Sequence, residues 1–224
     1  MATLFYFWLF VCVTVYGLDA PDVVFVVLSQ GDSYHESLAK QLKTSLEQQA
    51  NAANQIKPVV HLAHEDFSHP GAWTVIPLIS ELNSLHGSNS SWIVFCESHT
   101  SISLPHMIEM LNKFNFTQEV FLGHALHDRE ATIIHHFAFS DNPEQFKYPN
   151  FACGFAMSRA LLQRIAFRLD QGEEPNIDFS IDSSHELALY IWDNGKGPVL
   201  THSSQLCLTN EPHCASYPIK FKAC

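Results

Sequence analysis

Charge is scarce in this 224-residue chain, where only 16% of residues are Asp, Glu, Lys or Arg. Basic side chains are scarcer still, 12 against 23 acidic ones, for a formal net charge of −11. With no Lys/Arg cluster the chain lacks the basic stripe that a polyanion groove requires, so nucleic acid is not expected as a partner. Internal repeats, low-complexity linkers and tight Cys-x-x-Cys pairs are also missing, which argues against solenoids, linker-joined arrays and the commonest zinc modules. Long apolar runs are limited to Leu4 through Tyr16. That run is short for a span of ~20 residues and leads into Val15-Tyr16-Gly17, where a signal peptidase could cut. Residues 1–18 are therefore expected to be a signal peptide, with a signal anchor as the alternative.

What is present suits a packed core: 46% hydrophobic residues, including 17 Phe. The length beyond the leader suffices for one sizeable domain, expected over residues 22–204 and followed by a Cys-containing tail over 205–224. Of six cysteines, Cys12 falls in the leader, leaving Cys96, Cys153, Cys207, Cys214 and Cys224. The tail trio Cys207, Cys214 and Cys224 is expected to supply a disulfide in an oxidising compartment. Zinc, with His202 and His213 nearby, is the rival. The sequons Asn89-Ser90-Ser91 and Asn115-Phe116-Thr117 mark Asn89 and Asn115 as N-glycosylation candidates and point the same way, to the secretory pathway.

Strand-like and helix-like segments alternate. Val23 to Leu28 is continuously apolar, as a strand buried on both faces would be. Ser33-Tyr34-His35-Glu36 reads as a capping box before Leu38, Leu42 and Leu46 at helical spacing. Further strands are expected at Val59 to Leu62, Trp92 to Cys96, Phe121 to Gly123 and Thr132 to Phe139. Helices are expected around Ile76 to Leu85, after Pro105, after Ser158, and from Ser183-Ser184-His185-Glu186 to Asp193-Asn194-Gly195. The order implies an α/β fold with a mostly parallel central sheet.

In such a sheet ligands bind beyond the carboxyl ends of the strands. After Trp92 to Cys96 come Glu97, Ser98 and His99. Glu97 and His99 point to the same side of an extended chain, as two ligands of one cation would, although an ordinary polar turn has the same appearance. His124, His127, His135 and His136 are read as hydrogen-bonded structural residues, because neighbours such as His135 and His136 on a strand face opposite ways.

Several runs resemble the Fringe-like beta-1,3-glycosyltransferases, in particular the N-terminal half of the family's glucose-transferring members. They are Ser90 to Glu97, Phe121 to Asp128, Glu130 to His136, Phe146 to Pro149 and Glu186 to Asp193. The resemblance implies a GT-A type, Rossmann-like fold, UDP-glucose as donor, Mn2+ as cofactor, and O-linked fucose on thrombospondin-type repeats as acceptor in the endoplasmic reticulum lumen. It also implies a catalytic Fringe-like domain as a partner half. Where the family carries an Asp-Asp-Asp run, this chain carries Glu97, Ser98 and His99. The family's base motif falls on His185 and Glu186, which makes Glu186 the candidate base, or else only a capping-box acid. A later metal-ligating His falls on Cys207. The glycine-rich segment beneath the donor sugar corresponds to Ala152-Cys153-Gly154-Phe155, so Cys153 and Gly154 are the candidate sugar-pocket residues. Two functions fit: transfer of glucose to O-linked fucose, and a non-catalytic module that binds the acceptor protein or a catalytic partner.

Overall fold

Val23–Leu28 forms strand β1, buried on both faces, and it lies inside a six-stranded sheet. The computed structural model describes residues 17–68, 75–135, 142–173 and 181–219. The leader up to residue 16 and Cys224 lie outside the described residues. After β1 come α1 (Ser33–Ala52), β2 (Val59–Leu62), a short α2 (Ala63–Asp66), α3 (Val75–His86), β3 (Trp92–Glu97), β4 (Thr100–Ile102) and α4 (Leu104–Leu111). The chain continues through β5 (Phe121–Gly123), β6 (Ala125–Leu126), β7 (Tyr148–Pro149), β8 (Phe155–Ser158), α5 (Arg159–Asp170), α6 (Ser183–Trp192), β9 (Thr201–His202) and β10 (Ser216–Pro218). Among the described residues no helix is long and apolar enough to cross a membrane.

The sheet order is β2-β1-β3-β8-β5-β9. β1 runs parallel to β2 and β3, β9 runs parallel to β5, and β8 is antiparallel to both β3 and β5. Five strands therefore point one way, and their carboxyl ends share one edge with the start of β8. Alternate residues of each strand face opposite sides. Val24, Val26, Ile93 and Phe95 pack with the buried sides of α3, α5 and α6, while Val23, Phe25, Val27 and Trp92 pack with α1 and α4. Burial of each such side chain is worth roughly 1.5–3 kcal/mol, which is why the sheet is the rigid part of the fold.

The helix starts differ from expectation by one residue. Asp32 caps α1, its Oδ1 accepting from the amides of Tyr34 and His35 at 3.1 Å each, and Asp182 caps α6 in the same way. Ser33 and Ser183 are already the first helical residues, because an aspartate one position earlier presents a charged acceptor to the same exposed amides. Ser158 caps α5 as expected, with its Oγ 3.3 Å from the Leu161 amide.

The expected strand over Thr132 to Phe139 is not formed in its described part. Residues 133–135 make a turn, in which the His135 amide donates to Thr132 Oγ1 at 3.2 Å. Residues 136–139 lie outside the described residues. The tail beyond residue 204 is built into the fold: β10 pairs antiparallel with β4, and Leu206 and Ala215 are buried. Cys207 and Cys214 form a disulfide.

Candidate donor-binding edge

β3 ends in Glu97, and the next residues turn back into β4. Glu97 Oε2 lies 2.9 Å from His99 Nε2. The side chains keep 22% and 34% of their exposure, so the pair is open to a ligand. Accepting a hydrogen bond from the imidazole, the Glu97 carboxylate raises the His99 pKa above its ordinary value of 6.5 against the opposing effect of partial burial.

Three backbone-directed bonds hold this turn. The Glu97 amide donates to Thr100 Oγ1 at 3.1 Å, and the Thr100 hydroxyl donates to the Ala152 carbonyl at 3.0 Å. The Ile219 amide, just past β10, donates to the His99 carbonyl at 2.8 Å. The tail thus braces the strand end where a cation would sit.

Cys153 and Gly154 arrive at the same edge from the start of β8. Phe155 is paired with Phe95, which brings the preceding residues alongside the end of β3. Gly154 has φ 76° and ψ 164°, a backbone state essentially restricted to glycine. A Cβ there would lie 3.1 Å from the Phe95 carbonyl oxygen. The Cys153 thiol is fully buried, and burial together with the Glu97 charge pushes its pKa up to about 11. It stays protonated near neutral pH and is no competitor for a cation. The Ser216 hydroxyl donates to the Cys153 carbonyl and fixes the segment from behind.

The remaining candidates are distributed around this edge. Glu186 is half-buried in the first turn of α6, a helix that packs on β7. Cys207 is consumed by its disulfide, so the later ligand position carries no free thiolate. His124 Nδ1 meets the Leu206 carbonyl at 2.8 Å, and His202 Nδ1 accepts from the Ala125 amide at 3.1 Å, structural roles for both. Asn89 and Asn115 are exposed. Asn115 Oδ1 also accepts from the Thr117 amide at 3.0 Å and hydroxyl at 2.8 Å.

One constellation escapes sequence reasoning. Asp128, His135, Tyr148, Asp182 and His185 meet beyond the β6–β7 ribbon and at the start of α6. Burial, then the neighbouring Asp128 charge, pushes the Tyr148 pKa upward, and its phenol donates to Asp128 Oδ1 at 3.1 Å. His135 touches Asp182 across a separation of 47 residues, so no local spacing could reveal the group.

A sequence model described as Fringe-like matches residues 47–189. The chain belongs to the Fringe-like family. The match covers β3, the Glu97–His99 turn, Cys153, Gly154 and Glu186, while the later ligand position at Cys207 lies beyond it. The chain is 47% identical over 201 residues to a Beta-1,3-glucosyltransferase of Homo sapiens, covering 89% of this chain and 40% of that protein. It is 43% identical over 202 residues to a Beta-1,3-glucosyltransferase of Mus musculus, covering 90% of this chain and 41% of that one. The Fringe-like chain thus spans about two-fifths of the length of these curated relatives. Among solved structures it is similar to a glycosyltransferase involved in the glycosylation of the major capsid of PBCV-1. That likeness has a TM-score of 0.51 at 8% identity, covers 90% of this chain and 94% of the other, and bears on fold alone.

Proposed function

We propose that this Fringe-like chain binds UDP-glucose at the strand-end edge and serves the transfer of glucose to O-linked fucose on thrombospondin-type repeats in the endoplasmic reticulum lumen. The observation that carries the reading is the Glu97–His99 pair at the carboxyl end of β3, beside Cys153 and Gly154. Support comes from the identity to two Beta-1,3-glucosyltransferases over most of this chain.

The pair fits a divalent cation such as Mn2+. Neighbouring ligands of an octahedral ion with bonds of about 2.1 Å sit about 3 Å apart. Glu97 Oε2 and His99 Nε2 stand 2.9 Å apart across a hydrogen bond, and once the shared proton leaves both are ligand atoms that Mn2+ accepts. When bound, the ion supplies charge neutralisation for the diphosphate leaving group. Glu97 and His99 are the residues that would hold it.

The rest of the chemistry belongs to the protein's own groups. Gly154 and Cys153 are both buried, with Gly154 letting the chain pass close to the Phe95 carbonyl, so their part would be to support the donor edge from behind. The acceptor hydroxyl oxygen bonds to the sugar C1 with inversion as the bond from C1 to the UDP oxygen breaks, and Glu186 takes the hydroxyl proton. Incubation with UDP-glucose and an O-fucosylated repeat, read by mass spectrometry, tests this. A hexose is expected on the repeat, and the Glu186→Gln variant should lose the transfer while still binding UDP. A repeat that binds the chain but gains no hexose would overturn the transfer and leave the binding-module function.

A further inference from the structure

Among the described residues, three groups bring three metal-ligating side chains within 4.8 Å of one another. Cys207, His213 and Cys214 make one, but both sulfurs are committed to the disulfide. Glu36, His64 and Glu65 make another, and there Lys40 already neutralises both carboxylates, bonding Glu36 and lying 3.1 Å from Glu65. The third is Asp128, His135 and His185, with no lysine or arginine paired to it among the described ion pairs and both histidines buried, at 6% and 2% exposure.

The surroundings of this third group are those of a supported ligand set. His135 Nδ1 is in direct contact with Asp128 Oδ2, while its other nitrogen faces Asp182 Oδ2 at 3.3 Å. The second oxygen of Asp128 is held by the Tyr148 hydroxyl at 3.1 Å. The His185 ring stacks on His135 with centroids 3.9 Å apart and planes within 2°. A carboxylate on the far nitrogen of an imidazole, and a hydroxyl on the far oxygen of a carboxylate, are the outer contacts that orient metal ligands.

We propose that Asp128, His135 and His185 bind a transition-metal ion of the zinc class, with Asp182 and Tyr148 as its outer support. Two imidazoles and one carboxylate form a set that zinc sites use, and they favour Zn2+ over the harder Mn2+. On binding, the ion takes the lone pairs of Asp128 Oδ2 and His135 Nδ1 in place of the hydrogen bond between them, and the imidazole proton is carried on Nε2 toward Asp182. A ring nitrogen of His185 lies within 4.8 Å of the other two ligand atoms, and the ring must leave its stack on His135 for that nitrogen to face the ion. The site ties the loop after β6 and the turn at 133–135 to the first turn of α6. It is separate from the Glu97–His99 pair and does not depend on glucose transfer.

Calorimetric titration of the whole chain with zinc sulfate tests the proposal. One ion per chain is expected at this group, counted in the Glu97→Ala chain so that the Glu97–His99 pair does not contribute. His185→Phe keeps an aromatic ring against His135 and should abolish the binding. Asp182→Asn keeps a capping side chain at α6 and should weaken it about 10–100-fold, the usual loss for an outer-shell partner. Absence of saturable Zn2+ binding, or binding of equal strength in the folded His185→Phe and Asp182→Asn variants, would overturn the site and leave a purely hydrogen-bonded cluster.

Discussion

His99 holds its proton more firmly in the folded chain than a free imidazole does, because Glu97 accepts it. The sign of the consequence follows. A pKa raised above the unfolded value of 6.5 contributes stability in full at pH below that value and loses it as pH rises through the raised pKa. Thermal unfolding of wild type and Glu97→Gln, compared from about pH 5 to about pH 8, should therefore show a gap that is widest in acid and narrows with rising pH. A gap that widened with pH would contradict the pairing. Gly154 makes a second residue-scale claim. Its φ and ψ exclude side chains, and an added Cβ would press on the Phe95 carbonyl. Gly154→Ala should lower stability by ~1–3 kcal/mol in denaturant titrations, the usual strain for such a backbone state. Residue-scale signals in the sequence were uneven. Glu97 and His99 meet through the turn at residues 98–99, not by the alternation of an extended chain on which the sequence reading rested. The Asp182 cap was missed because the adjacent Ser183 with Glu186 imitates a capping box.

At the scale of elements, continuous apolar runs betrayed the strands that are buried on both faces, such as Val23–Leu28 and Trp92–Glu97. β8 was not legible. Its four residues, Phe155–Ser158, are too short to show a period, and strand direction is not written in composition. Yet its antiparallel insertion between β3 and β5 is what delivers Cys153 and Gly154 to the strand-end edge. The tail is similar. A Pro- and Asn-containing stretch reads as an appendage, but β10 pairs on β4 and braces the His99 carbonyl. The Cys207–Cys214 disulfide closes the bend that returns the chain for this pairing, across a separation of seven residues. In the chain-entropy account a loop of that size is worth about 2–3 kcal/mol. Replacing both cysteines with serine should lower the unfolding free energy by that amount, and a double variant as stable as wild type would show that the tail does not need the link.

For the whole molecule, the alternation of strands and helices made the α/β class and the mostly parallel sheet legible. The meeting of distant side chains was not: the Asp128–His135–His185 group draws on three segments joined only by the fold. The edge of the sheet and that group make separate chemical claims, one for a hard cation with a diphosphate and one for a zinc-class ion. The central claim is that the chain binds a nucleotide-sugar diphosphate through a cation at Glu97 and His99. Calorimetric titration of UDP into the whole chain, with and without Mn2+, tests it most directly. The account predicts binding that requires Mn2+ and is lost in Glu97→Ala; UDP binding that ignores Mn2+, or that persists unchanged in that variant, would contradict it.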